Sequence, residues 1–236
     1  MNIEITRRSS DNCKKFIIKY RVILLSILLP LLYIVPLLIY LLVIIKHKND
    51  LIIVLSGTLD NFNSDIYYRT VCPYTRINCV TFDLLYHDTH KFPLKKWNKV
   101  GMNKIIKFNN YTIDNIVKKY NVRRLILAGI SRGGYLAAMY KNADIYLLFA
   151  PVVKWTELTE FTNEGPEIDI ENLKTKRVFG YVNKYDYRIN GTIVANFFSS
   201  ICQNCNNRNK KFIVNEDKGH KVPREIFQEA AYWIDR

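Results

Sequence analysis

Residues 123–134, RRLILAGISRGG, constrain the fold of this chain more than any other stretch. The apolar run has the composition of a buried strand, and it ends in Gly-Ile-Ser-Arg-Gly. The segment RGGYLAAMYK then starts a helix directly after Ser131. A serine between two glycines at such a junction is either part of a plain Gly-rich turn or a nucleophile on a strained turn. The rest of the chain has to decide between the two.

Short β-rich runs alternate with amphipathic stretches from Leu51 to the C-terminus. Strands are predicted at 51–55, 77–83, 123–129, 144–150, 176–182 and 210–215. Helices are predicted after Ser131, over GTIVANFFSSIC and over PREIFQEAAYWID, and YTIDNIVKKY has one helical face. Residues 84–108 are expected to be mostly loop with a short helix. This alternation predicts an α/β fold, a mostly parallel sheet with helices on both faces.

Residues 22–45 form an apolar run without a charged residue, bounded by Arg21 and Lys46. A helix of that length would rise about 36 Å, enough to cross a bilayer core with some tilt. A cleaved signal peptide and a buried core helix are weaker alternatives, because the run is long and no small-residue cleavage site follows it. We therefore expect a basic N-terminal tail at 1–21, a transmembrane anchor at 22–45 and one domain at 46–236.

The flanks of the apolar run predict its orientation. Six basic residues precede it, and two follow it closely: Arg7, Arg8, Lys14, Lys15, Lys19 and Arg21, then Lys46 and Lys48. The positive-inside rule places the tail in the cytoplasm and the domain in a lumen or outside the cell. Acceptor sequences for N-glycosylation at Asn110 (NYT) and Asn190 (NGT) agree with that placement. A domain facing the cytoplasm is the alternative.

The cysteines of the predicted domain are Cys72, Cys79, Cys202 and Cys205. An even number suits an oxidising compartment. The local pairs Cys72–Cys79 and Cys202–Cys205 are one of the possible connectivities. A zinc site is a weaker alternative, because CPYTRINC lacks the tight spacing that structural zinc prefers.

The net charge of +14 suits nucleic acid, an anionic membrane surface or an acidic substrate. The sequence has no RRM-type aromatic motif, no zinc-finger spacing and no basic region that runs into heptads. We therefore expect no nucleic-acid partner. The positive charge could hold the domain against anionic lipid headgroups.

A serine hydroxyl becomes a good nucleophile only when a neighbouring base takes its proton, and histidine is the usual base. The chain has four histidines. His47 borders the apolar run, and His87 and His90 follow the second predicted strand. His220 follows the last predicted strand, where reactive groups of a parallel sheet gather. Position therefore favours His220 as the base for Ser131.

The base needs a carboxylate that fixes its tautomer. Asp186 lies just after the penultimate predicted strand. Asp217 is close to His220 in sequence but is expected to face another way, whereas Glu164 and Asp169 precede the penultimate strand. Asp186 is therefore the predicted acid.

With this order of residues, the chain resembles the α/β-hydrolase family from Leu51 to the C-terminus. GISRGG looks like the nucleophile elbow of the esterase, dienelactone-hydrolase and prolyl-oligopeptidase-like branches. The resemblance implies that Ser131 is the nucleophile, His220 the base and Asp186 the acid.

The resemblance also implies an oxyanion hole made by the backbone N–H groups of Thr58 and Arg132. SGTLDN occupies the oxyanion-loop position, and Ser56 replaces a histidine that relatives often have there. Residues 155–174 are the candidate for a small lid over the site.

The sequence thus predicts a membrane-anchored serine hydrolase that needs no cofactor and no metal. Its expected substrate is a small-molecule or lipid ester, or a thioester or amide, cleaved through an acyl-enzyme. The alternative is an inactive α/β-hydrolase fold that binds a partner at a membrane. The oligomeric state does not follow from the sequence.

Overall fold

The structure is a computed structural model that describes residues 30, 32, 34–38, 49–57, 70–81, 99–153, 166–202 and 208–236. The chain divides into two compact units, Met1–Lys48 and Asn49–Arg236. Of the predicted anchor at 22–45, only residues 30, 32 and 34–38 are described, and they are helical. None of the helices in the described ranges has both the length and the apolar character needed to cross a membrane. The tail and the anchor otherwise lie outside the described residues and stay predictions.

The second unit contains one six-stranded sheet with the order β2-β1-β3-β4-β5-β6. Every neighbouring pair in it is parallel. The strands are β1 (Asp50–Leu55), β2 (Asn78–Thr81), β3 (Arg124–Ile130), β4 (Ile145–Phe149), β5 (Arg177–Tyr185) and β6 (Lys210–Lys218). The strands β1 and β4 are buried at every position, as apolar strands covered on both faces should be. The predicted parallel sheet is confirmed.

Helices cover both faces of the sheet. They are α1 (Lys99–Lys119), α2 (Arg132–Met139), α3 (Ile170–Thr175), α4 (Gly191–Ile201) and α5 (Arg224–Ile234). Apolar side chains of α1 to α4 share one core cluster with residues of the sheet. The side chains of α5 pack into a second cluster, together with a 3₁₀ turn at Cys72–Tyr74. The predicted helices on both faces are therefore also confirmed.

Helix α1 is longer than the sequence predicts. Residues 99–108 lie in the region expected to be mostly loop with a short helix, and they form the first half of α1, whereas residues 82–98 lie outside the described ranges. Met102 and Ile105 are fully buried and join Ile113 in the core. Tertiary burial of one apolar face therefore outweighs the low helix propensity of Gly101 and Asn103.

A disulfide joins Cys72 to Cys79, and it links the 3₁₀ turn to β2. This pairing is the local one that the sequence favours, and it removes both sulfurs from any zinc site. Cys202 is also disulfide-bonded. Cys205 lies outside the described residues, so the pairing of Cys202 with Cys205 stays a prediction.

Candidate active site

Three polar side chains follow the ends of three parallel strands. Ser131 follows β3, Asp186 follows β5, and His220 lies beyond the end of β6. The carboxyl ends of parallel strands share one edge of the sheet. We call this edge, with Ser131, Asp186 and His220, the candidate edge.

Ser131 sits on a sharp turn between β3 and α2, with φ 53° and ψ −116°. A non-glycine residue with a positive φ is uncommon and strained. Glycines let the strand and the helix approach each other. A Cβ atom on Gly129 would lie 2.3 Å from the carbonyl oxygen of Gly133, and one on Gly133 would lie 2.0 Å from that of Leu55. The geometry is therefore that of a strained turn that presents a side chain, not of a plain Gly-rich turn.

Backbone hydrogen bonds hold Ser131 in this conformation. The Ser131 N–H donates to the Phe149 carbonyl at 2.9 Å, and the Val152 N–H donates to the Ser131 carbonyl at 3.0 Å. Between these two partners lies Ala150, which also has a positive φ of 43°. The Ala150 N–H donates to the Tyr181 carbonyl at 2.7 Å. The strained turn is thus tied to the end of β4 and to the middle of β5.

Asp186 and His220 form a buried pair. Asp186 Oδ2 lies 2.6 Å from His220 Nδ1, and the side chains are 0% and 15% exposed, respectively. The other carboxylate oxygen, Oδ1, accepts the N–H of Arg188 at 2.9 Å. A carboxylate without a proton can only accept, so this hydrogen bond to an ionised Asp186 needs the proton on Nδ1, and a neutral imidazole then has its lone pair on Nε2. An imidazole held in this tautomer can act as a general base at Nε2.

The side chain of Asn183 joins the loop of His220 to β5. Its Nδ2 donates to the carbonyls of Gly219, at 2.9 Å, and Lys221, at 3.3 Å. Its Oδ1 accepts the hydroxyl of Tyr181 at 2.5 Å. Asn183 is buried, with 5% of its surface exposed. Both the oxygen and the nitrogen of this buried amide therefore form hydrogen bonds.

Searches with the sequence found no matching family model and no similar curated protein. The structure resembles solved proteins. Esterase Pf2001 from Pyrococcus furiosus matches with a TM-score of 0.61 and 15% identity, over 80% of this chain and 82% of that one. TT1662 from Thermus thermophilus matches with a TM-score of 0.63 and 11% identity, over 80% and 89%. The propionate-bound esterase Est2 from Thermogutta terrifontis has a TM-score of 0.56 and 10% identity, over 80% and 83%.

The chain has the α/β-hydrolase fold. At these sequence identities, the structural likeness establishes the fold alone, and any chemistry has to be argued from the residues of the site. In enzymes with this fold, backbone N–H groups from the start of the helix after the nucleophile and from a loop after another strand form the oxyanion hole. The corresponding parts of this chain are the start of α2 and the loop after β1. The start of that helix is described, and part of the loop is not.

Arg132 is the first residue of α2, where the N–H groups of a helix have no acceptor within the helix. Its side chain is buried, and burial lowers the pKa of the guanidinium to about 9. Ser56, which ends the described part of the β1 loop together with Gly57, is also buried. Thr58, the other predicted donor, lies outside the described residues, so the complete oxyanion hole stays a prediction.

Two acidic residues that the sequence disfavours as the acid are also described. Asp217 is exposed on β6, and Asp169 caps α3 by accepting the N–H of Asn172. His47, His87 and His90 lie outside the described residues, as does most of the candidate lid.

The two predicted glycosylation sites differ in their surroundings. Asn190 is exposed at the start of α4. Asn110 lies inside α1, and its Oδ1 atom is buried.

The sequence did not indicate that Asn183, Tyr181 or Ala150 contributes to the site. An asparagine and a tyrosine in a strand pattern carry no motif, and alanine is not a residue that marks a positive φ. Only the pairing of β5 with β4 and β6 shows what these residues contact.

Proposed function

We propose that this chain is a membrane-anchored serine hydrolase that cleaves an ester through an acyl-enzyme on Ser131. The hydrogen bond between Asp186 and His220 carries the proposal, because it prepares a base at the edge where Ser131 follows β3. The strained turn at Ser131 supports the role of nucleophile. The esterases among the similar folds favour an ester over an amide as substrate.

In the proposed acylation, Ser131 Oγ bonds to the carbonyl carbon while His220 Nε2 takes the hydroxyl proton. The electron pair of the carbonyl moves to its oxygen, which accepts the N–H groups of Thr58 and Arg132. Each such donor typically lowers the barrier by about 3 kcal/mol. His220 then gives its proton to the alcohol oxygen as the ester C–O bond breaks.

In the proposed deacylation, a water molecule replaces the alcohol. His220 takes a proton from the water as its oxygen bonds to the acyl carbon. The acid then leaves, and Ser131 Oγ recovers a proton from His220. Asp186 stays ionised throughout and stabilises the imidazolium.

The anchor and the lumenal placement belong to the same proposal. Their support is the apolar run at 22–45 with its basic N-terminal flank. The Cys72–Cys79 disulfide adds support, because such bonds persist in oxidising compartments.

Labelling with a fluorophosphonate probe tests the hydrolase. The full chain should be labelled on Ser131, and Ser131→Ala should abolish the label. Ser199→Ala is the matched control, because Ser199 is an exposed serine on α4. A well-folded wild-type chain that stays unlabelled would favour the alternative, a binding protein with this fold.

Glycosylation in cells tests the placement. We expect one glycan at Asn190 and little at Asn110, because Asn110 lies inside a helix with its Oδ1 atom buried. Asn190→Gln should remove the gel shift caused by the glycan, and Thr112→Ala should leave it. A chain without glycans, with Cys72 and Cys79 reduced, would place the domain in the cytoplasm.

A further inference from the structure

The loop that carries His220 has no regular structure of its own. Residues 219–223 lie between β6 and α5 and belong to neither a strand nor a helix. The pairing of β5 with β6 is also irregular between Asn183 and Tyr185, just before both strands end. The hydrogen bonds between β5 and β6 therefore do not fix the position of His220, and other contacts must do so.

The amide of Asn183 makes such contacts on both sides of His220. Both of its N–H hydrogens point to carbonyls that flank the histidine, those of Gly219 and Lys221. Carbonyls only accept hydrogen bonds, so the amide nitrogen must face the loop. The hydroxyl of Tyr181 donates to Oδ1 on the opposite side and fixes the amide in that orientation. Asn215 Nδ2 in turn donates to the Tyr181 hydroxyl at 3.3 Å.

The backbone of Asn183 holds the acid as well. Its carbonyl accepts the N–H of Asp186 at 3.0 Å and so closes the turn that carries the carboxylate. Gly191 packs so closely on this carbonyl that a Cβ atom would lie 1.9 Å from the oxygen. One residue thus contacts the turn of Asp186 through its backbone and the loop of His220 through its side chain.

We propose that Asn183 is a positioning residue that holds His220 at hydrogen-bond distance from Asp186. Its effect on turnover rests on the proposed function, whereas its effect on the Asp186–His220 hydrogen bond does not. Asn183 acts through the loop and needs no contact with substrate. A merely structural role would lower stability without changing the environment of the His220 ring.

Three variants separate these roles. Asn183→Asp keeps the shape but replaces the two donors with an acceptor that repels the carbonyls of Gly219 and Lys221. Tyr181→Phe leaves the donors in place but removes the hydroxyl that orients them, so it should act in the same direction and more weakly. Asn172→Asp is the matched control, because Asn172 also donates from its amide to a tyrosine, Tyr146, at 3.4 Å on another part of the sheet.

The first readout is the ¹H NMR resonance of His220 Nδ1–H in the full chain in detergent micelles. A proton shared with a carboxylate should resonate far downfield, and the His220→Gln variant assigns the signal. We expect Asn183→Asp to lose it or shift it strongly, Tyr181→Phe to shift it, and Asn172→Asp to leave it. This readout needs no activity, so it remains decisive if the fluorophosphonate test fails.

The second readout is the hydrolysis of a short-chain p-nitrophenyl ester. We expect kcat to fall about 100-fold in Asn183→Asp, as small misplacements of a catalytic group do, with KM within about twofold. A folded Asn183→Asp variant that keeps both the downfield signal and kcat would overturn the proposal. If Asn183→Asp does not fold, an unchanged signal in a folded Tyr181→Phe variant would overturn it equally.

Discussion

Strain at the level of single residues is concentrated where Ser131 follows β3. Ser131 and Ala150 both have a positive φ, and the N–H of each donates to a carbonyl of the neighbouring strand. Backbone conformations of this kind cost about 1–3 kcal/mol each and persist only when the surroundings enforce them. The fold enforces two such conformations next to each other. They keep Ser131 in the strained turn that a nucleophile elbow requires.

Residues proposed for a chemical role could be read from the sequence, and residues with a geometric role could not. Ser131, Asp186 and His220 are found from residue type and from their place after strands. Asn183 and Ala150 act through carbonyls and backbone angles that exist only after β4, β5 and β6 have paired. No sequence motif predicts such contacts, because many residue types occupy strand ends equally well.

Replacement of Asp186 by asparagine tests the proposed acid. Oδ1 accepts the Arg188 N–H, so the amide of Asp186→Asn should keep its oxygen there and turn its NH₂ group towards His220 Nδ1. The imidazole would then carry its proton on Nε2 and could not accept one from Ser131. We expect kcat to fall about 10⁴-fold, as loss of the correct tautomer does in serine proteases, with little change in stability.

The control for this prediction is Asp217→Asn, which removes an exposed carboxylate on the neighbouring strand β6. It should leave kcat within about twofold of wild type. A fall of less than about tenfold in Asp186→Asn, measured on a p-nitrophenyl ester, would assign the role of acid to another residue.

At the level of elements, the close contact between α2 and β1 positions the predicted oxyanion loop. Gly133 lies against the carbonyls of Leu55 and Ser56, at the point where β1 ends. Helix α2 can therefore lie this close to the loop only because residue 133 is a glycine and has no side chain. The second glycine of GISRG thus sets the distance between the nucleophile helix and the loop.

Gly133→Ala should disrupt both stability and activity. The new Cβ atom would lie 2.0 Å from the Leu55 oxygen and 2.5 Å from that of Ser56, so the helix must shift. We expect a loss of about 3 kcal/mol in the free energy of unfolding, at the upper end for overpacked sites, measured by urea denaturation. Labelling by fluorophosphonate should fall as well, because the oxyanion donors move with the backbone.

Gly219→Ala is the comparison for Gly133→Ala. Gly219 has a φ of 103°, but a Cβ atom there would meet nothing within 4 Å. It should cost about 1–2 kcal/mol through backbone strain alone. Equal losses of unfolding free energy in the two variants would show that α2 can move away from β1 without a cost in stability.

The elements that the sequence predicted well are those whose signal is local. Buried strands such as β1 and β4 are continuous apolar runs, and their bounds follow within a few residues. The first half of α1 was missed because its apolar residues are few and lie among asparagines and a glycine. Its helical state depends on packing against the sheet, which no local window contains.

At the level of the whole molecule, the domain has a direction. The chain enters it at Asn49, whose carbonyl accepts the Arg123 N–H at 2.7 Å just before β3 begins. From there β1 runs to Leu55, about 20 Å away at 3.3 Å per residue. Because the sheet is parallel, the candidate edge lies at the end of the domain opposite to the point where the chain enters.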